Sequence, residues 1–136
     1  MWSDGTQMTI ELQTLAWSVV LGLAEIIVAV GAATMVRGRR WNMSSREEPL
    51  PPLTGMPGRL DRAYKNFLET FPFFAASVLV CHLAGREGTL TAVGVQLYFW
   101  ARAAHFLLYA FDVTVVRSLV WLASVAGIGL LLIALL

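Results

Sequence analysis

The chain has 136 residues, of which 57% are apolar and 14% are charged, and its formal net charge at pH 7 is +1. This is too little charge for an ordinary soluble domain of this length, and so small a net charge gives no reason to expect a nucleic-acid partner. The single cysteine, Cys81, excludes a disulfide within the chain. Composition therefore predicts an all-α integral membrane protein.

Apolar stretches that come near the length needed to cross a bilayer occur four times. A spanning helix needs roughly 20 largely apolar residues. The sequence predicts spans over about residues 12–36, 62–84, 90–111 and 115–136. Because these spans nearly exhaust the chain, we predict a four-transmembrane-helix bundle that forms one membrane domain over residues 1–136.

The connection between the first and second spans, residues 37–61, is the one long loop. Seven of the ten lysines and arginines fall between Arg37 and Lys65. Positively charged loops stay on the cytoplasmic side, so we expect this loop to be cytoplasmic. It also contains four of the five prolines, which favour extended or turn backbone, and we expect a stiff link.

In the fourth predicted span, small residues recur at helical spacing. Ala123 and Gly127 form a pair four residues apart, and Gly129 lies nearby. Small residues at this spacing let a neighbouring helix approach closely. The pair predicts tight packing inside the bundle.

Ionisable side chains form two stripes at helical spacing. The second span carries Arg62, Asn66 and Glu69, and the third carries Arg102, His105 and Tyr109. The six-residue connection 84–89 contains two glycines and makes these spans antiparallel neighbours. We therefore expect the two stripes to share one pocket near the loop 37–61.

Ionisable groups within spans are costly, so each needs a partner or a function. Arg62, Arg102 and Arg117 outnumber the single carboxylate of Glu69, and this excess predicts a pocket for an anionic ligand with many hydrogen bonds. The structural alternative is that Arg102 pairs with Glu25 or Glu69 and joins helices.

Glu25 and His82 lie outside both stripes. Glu25 has three open interpretations: a protonated carboxyl, a structural partner of His82 or Arg102, or the lining of a polar cavity. A proton-coupled channel built on these three residues is a further alternative. Two histidines and one cysteine, with no clustered carboxylates, indicate that no metal is bound.

The second-span stretch resembles a family signature. Its pattern, Arg-Ala-x-x-Asn-x-x-Glu-x-x-Pro, is that of the MAPEG family, the membrane-associated proteins of eicosanoid and glutathione metabolism. Here the pattern is met by Arg62, Ala63, Asn66, Glu69 and Pro72. The third-span stretch "ARAAHFLLYAFDVTVVRS" is similar to the prostaglandin E synthase and microsomal glutathione transferase branch. The resemblance covers the whole chain and is nearest to a bacterial-type member in a cell membrane.

The resemblance implies a homotrimer that binds glutathione as co-substrate between subunits, without a metal. The implied glutathione-binding residues are Arg37, Arg62, Asn66, Glu69, Arg102, His105 and Tyr109. Arg39 and Arg40 are alternatives to Arg37. The implied catalytic residues are Arg117, which faces the thiol, and Ser118, whose alternative role is a helix cap.

Two functions follow from these residues. The first is a glutathione transferase or peroxidase that acts on a small lipophilic substrate arriving through membrane lipid. A guanidinium beside the thiol stabilises the thiolate, which is the nucleophile. The second is a non-catalytic trimer that holds another anionic ligand or a lipid headgroup in the same pocket.

Overall fold

The computed structural model describes residues 7–136, and this part of the chain folds entirely into helices and their connections. In chain order the helices are α1 (Ile10–Arg37), α2 (Arg39–Asn42), α3 (Gly55–Leu83), α4 (Thr89–Ala110) and α5 (Thr114–Leu135). Helix α3 begins six residues before the predicted end of the loop 37–61. Pro57 lies in its first turn, where the missing backbone N–H has no helical partner to lose.

Three of the long helices, α1, α3 and α5, are long and apolar enough to cross a membrane. Helix α4 has 22 residues, but Gln96, Arg102 and His105 interrupt its apolar sequence along the whole helix. It packs most extensively against α5 and also contacts α1 and α3. The described residues thus contain three candidate spans, and the fourth span stays a prediction.

Helix α1 directs small and polar residues inward and large apolar residues outward. Its buried positions are Glu11, Thr14, Ser18, Gly22, Glu25 and Ala29. They recur every three or four residues and so share one face of the helix. Trp17, Leu23 and Ile27 are mostly exposed. This arrangement is typical of a membrane protein, because lipid solvates large apolar side chains while small residues permit close helix packing.

Helices α4 and α5 approach each other most closely at two glycines. A Cβ atom added to Gly127 lies 2.6 Å from the carbonyl oxygen of Gly94, and one added to Gly94 lies 2.8 Å from the carbonyl oxygen of Gly127. Both distances are too short for a real side chain. The close approach predicted at Gly127 is therefore confirmed, whereas Gly129 has open space around it.

The main core lies between α3, α4 and α5. The ring of Phe74 stacks on that of Tyr98 with 3.8 Å between centroids, and the Tyr98 hydroxyl lies 3.1 Å from the Thr70 hydroxyl. Such buried tyrosines need a partner for the hydroxyl group. This packing fixes α4 against α3 and thereby sets the height at which their polar stripes meet.

The helices alternate in direction, so the bundle has two ends. The first we call the basic end: here α1 and α4 end, and α3 and α5 begin. It is joined by a cluster of Ala29, Leu60 and Ala110. We call the opposite one the far end, where the Cys81 thiol donates to the carbonyl oxygen of Leu131 at 3.6 Å.

Candidate functional site

The two predicted stripes meet through one partly buried hydrogen bond. Arg102 is 1% exposed, and its Nη1 donates to Oδ1 of Asn66 at 3.0 Å. The guanidinium also lies over the ring of Phe67, 5.5 Å from its centroid. Arg102 belongs to no ion pair with Glu25 or Glu69 among the described residues. An amide, and not a carboxylate, therefore receives this buried cation.

Tyr109 gathers the other cations of the site. The guanidinium carbon of Arg117 lies 4.2 Å from the centroid of the tyrosine ring, and that of Arg62 lies 6.0 Å from it. Both distances fall within the range in which a cation is attracted to an aromatic face. His105 contacts the same ring edge-on, at 5.6 Å between centroids. One aromatic side chain thus holds cations from α3 and α5 together.

These side chains surround a surface cavity of about 240 Å³. It is lined by Asn66, His105, Tyr109, Arg117, Ser118 and Trp121. The lining comes from α3, α4 and α5, so the cavity exists only when all three helices pack. The lining contains no carboxylate, and all six of its side chains can donate a hydrogen bond. The surroundings suit an anion.

The lining includes Trp121, which was not predicted, and Ser118, which was. The alternative role of Ser118 as a helix cap is wrong, because α5 begins at Thr114 after the cap residue Val113. Trp121 lies four residues after Arg117 and therefore on the same face of α5; helical spacing alone is enough to find it. Ser118 is exposed, and its hydroxyl donates to the carbonyl oxygen of Thr114 at 3.3 Å. This bond stays within α5, and the serine oxygen remains able to accept.

Arg59 was also not predicted as a site residue. It lies on α3 and contacts the end of α4, the helix that carries Tyr109, next to the start of α5, which carries Arg117. Its Nε donates to the carbonyl oxygen of Ala110 at 2.9 Å, which is one of the last carbonyls of α4 and lacks a helical partner. The turn that follows contains Asp112 with a φ of +60°. Arg59 thus holds the end of α4 at the turn from which α5 starts.

Four predicted residues are not in the lining of this cavity: Arg102, which is buried, and Arg37, Arg62 and Glu69. Arg62 and Glu69 are exposed on α3. Arg37 lies at the end of α1, where its guanidinium is 4.6 Å from the Trp41 ring and donates weakly, at 3.5 Å, to the carbonyl oxygen of Pro51. Within the described protomer Arg37 lines other grooves, beside α2 and the loop.

Glu25 and His82, the two residues outside the stripes, lie apart. His82 is at the far end, where Nδ1 is 3.0 Å from Oε1 of Glu87. Glu25 is buried near the middle of α1 and has no hydrogen-bond partner in the part of the chain that the structure describes. Within residues 7–136, therefore, Glu25 and His82 do not pair with each other. In residues 7–136 no three His, Cys, Asp or Glu side chains are grouped to hold a metal.

The fold and the site together define a helical integral membrane protein with a cationic, hydrogen-bonding cavity at one end of the bundle. The sequence model of the MAPEG family matches residues 14–136. The chain therefore belongs to the MAPEG family, which includes glutathione-dependent transferases and peroxidases. No curated protein matches the chain with significance.

Proposed function

We propose that the protein is a glutathione-dependent membrane enzyme, a transferase or peroxidase that acts on lipophilic electrophiles or lipid hydroperoxides. The observation that carries this proposal is the cavity beside Tyr109, which has Arg117 in its lining, Arg62 near the same ring, and no lining carboxylate. Glutathione carries two carboxylates, an ammonium group and a thiol, so it needs more cationic than anionic partners. The cavity offers that balance.

Arg117 is the residue we assign to the thiol. A thiol is largely protonated at neutral pH, and a neighbouring guanidinium stabilises the thiolate form. Arg117 is partly exposed and faces the cavity, so it can approach a bound ligand without first leaving a buried ion pair. Ser118 offers a second hydroxyl group at the same place.

Other polar groups suit the remaining parts of the peptide. Asn66 has a free amide nitrogen, since only its Oδ1 is bonded to Arg102. Glu69 is exposed one helical turn further along α3 and is the nearest stripe residue that can receive an ammonium group. Arg62, also exposed, can receive a carboxylate.

We further propose that the protein forms a homotrimer in a bacterial cell membrane, with the loop 37–61 in the cytoplasm and α4 as the fourth span. Exposure of Arg62 and Glu69 supports a site completed by a second copy of the chain. Arg37 lies outside the cavity of its own protomer, and its assignment to glutathione requires that second copy. Lipid delivers the apolar substrate and the cytosol delivers glutathione, so a site at their boundary brings the reactants together.

The test is calorimetric titration of the detergent-purified protein with glutathione, followed by ultraviolet absorbance of the bound thiolate. We expect saturable binding and a thiolate signal in the wild type, and loss of that signal in Arg117→Ala while much of the binding remains. Arg86→Ala is the matched control, because it removes an exposed arginine at the far end. It should bind glutathione and give the thiolate signal as the wild type does.

Two outcomes contradict this function in different ways. If millimolar glutathione does not bind, the cavity holds another anionic ligand or a lipid headgroup, and the protein is not a glutathione enzyme. If glutathione binds but no thiolate forms, and no lipophilic electrophile or hydroperoxide is turned over, the protein is a binding protein without this chemistry.

A further inference from the structure

Four buried polar atoms near the middle of the bundle have no hydrogen-bond partner within residues 7–136. Two are the carboxyl oxygens of Glu25 on α1, and two are Nε and Nη2 of Arg102 on α4. The two residues are only 2% and 1% exposed. Two acceptor atoms and two donor atoms are thus buried without partners, and unpaired polar groups inside a protein are costly.

Phe67 places the two side chains in one neighbourhood. Gly22 lies one turn before Glu25 on the buried face of α1, and a Cβ atom added there lies 2.6 Å from Cε1 of Phe67. The Arg102 guanidinium lies over the same ring. The two side chains form no direct ion pair within 4.0 Å in residues 7–136.

We propose that Glu25 is the buried counter-ion of Arg102, and that water between α1, α3 and α4 carries their contact. A water molecule accepts from the guanidinium and donates to the carboxylate, and buried water commonly satisfies polar groups in this way. This pairing leaves Nη1 of Arg102 for Asn66. Glu25 is thus a positioning residue that holds the guanidinium where its Nη1 reaches Asn66, which lines the cavity.

Helix α1 contributes no residue to the lining of the cavity. The pairing nevertheless gives α1 a role in the site. Arg102 is held on one side by Asn66 of α3 and on the other by Glu25 of α1. Removing one partner of a buried charge pair leaves the other charge uncompensated, which is far more damaging than removing both. The relation between the two residues can therefore be measured as a coupling, without reference to glutathione.

The experiment is a double-mutant cycle on the full-length protein in detergent, with the thermal midpoint of unfolding as the readout. The variants are Glu25→Leu, Arg102→Leu and the two together. We expect each single variant to unfold at a lower temperature than the wild type. The double variant should recover at least half of the loss seen in the more damaged single variant. Losses that simply add overturn the proposal.

A matched control tests whether recovery is specific. Glu11 is as buried as Glu25 but bonds to Thr91 at the far end, so Glu11→Leu combined with Arg102→Leu should show additive losses. If the midpoint also recovers when Glu11→Leu is combined with Arg102→Leu, the proposal is overturned, because removing any buried carboxylate would then offset the loss of Arg102.

Glu25→Gln decides the question if a leucine variant does not fold. Glutamine has the shape of a protonated glutamate but no negative charge. A midpoint equal to that of the wild type shows that Glu25 is carried neutral and overturns the proposal. A lowered midpoint supports it. None of these readouts involves glutathione, so failure here is distinct from failure of the proposed function.

Discussion

The two ends of the bundle handle polar groups in opposite ways. At the far end, Oε1 of Glu11 accepts from Thr91 at 2.6 Å, and Oε1 of Glu87 accepts from Thr9 at 2.9 Å and lies 3.0 Å from Nδ1 of His82. These groups satisfy one another across α1, α3 and the start of α4. They leave little binding capacity for a ligand.

The basic end gathers donors that lack matching acceptors. Arg117 and Arg62 lie over the Tyr109 ring and belong to no ion pair within residues 7–136. Aromatic faces attract cations but leave the guanidinium hydrogens free to bond elsewhere. The comparison shows that polar groups are paired with one another at the far end, whereas cationic donors at the basic end stay available to a ligand.

The largest expected effect comes from removing a cation at the basic end. Arg117→Ala should lower the rate of glutathione transfer by about 100-fold or more, which is the typical cost of deleting one donor that stabilises developing charge. The measurement is the steady-state rate with glutathione and a lipophilic electrophile. Arg117→Lys keeps the charge but not the planar guanidinium, and its rate should lie between those of the wild type and Arg117→Ala. A rate unchanged in Arg117→Ala contradicts the assignment of this end.

Asn66→Leu should harm both stability and binding. It removes the one direct hydrogen-bond partner that Arg102 has within residues 7–136, at a cost of about 2 kcal/mol in the free energy of unfolding. Chemical denaturation measures that loss, and glutathione titration should show weaker binding. Asn66→Asp supplies a carboxylate to the guanidinium and should restore stability. If Asn66→Leu changes binding alone, the bond to Arg102 is not structural.

Thr91→Val is the corresponding change at the far end. It removes the donor to the buried Glu11 and should lower the free energy of unfolding by about 1–2 kcal/mol. Glutathione affinity should stay that of the wild type, because Thr91 lies at the opposite end from the cavity. Thr91→Ser, which keeps the hydroxyl, is the control. A changed affinity in Thr91→Val means that the two ends are not separable.

Tyr109→Leu tests whether the ring holds the cations together. Loss of two cation–ring contacts should weaken glutathione binding by about five- to tenfold, in line with roughly 1 kcal/mol for such contacts. Tyr109→Phe keeps the face of the ring and should retain most of the affinity. If phenylalanine is as damaging as leucine, the hydroxyl and not the ring carries the effect.

The smallest effect is expected for His82→Ala. The pair with Glu87 is partly exposed, and exposed ion pairs contribute about 0.2–1 kcal/mol to stability. The midpoint of unfolding should shift only slightly, and glutathione binding and rate should not change. A large loss of activity in this variant contradicts the assignment of a purely structural role to the far end.

The sequence predicts most of the helices because span length and hydropathy are local properties. The predicted boundaries at 90–111 and 115–136 fall within one residue of α4 and α5. The start of α3 was missed by seven residues, since proline was read as a break although it is tolerated in a first helical turn. Hydropathy is weaker evidence for α4, where polar residues interrupt the apolar pattern.

The site was predicted in part. Helical spacing put Asn66, His105 and Tyr109 on inward faces, and antiparallel packing brought them to one cavity as expected. Helical spacing could not show that Arg102 bonds to the amide of Asn66. The carboxylate of Glu69, three residues after Asn66 on the same helix, is an equally plausible partner from the sequence. Helical spacing also gave no sign of Arg59, whose bond to Ala110 spans 51 residues of chain.

The sequence alone thus determined that the protein is suited to a lipid membrane, how long its helices are and which helix faces carry charge. These properties depend on residues within a few turns of one another. The tertiary structure decided which charges are paired. Pairing depends on the height at which helices distant in sequence are packed, and that height is set by contacts such as Gly94 against Gly127 and Phe74 against Tyr98.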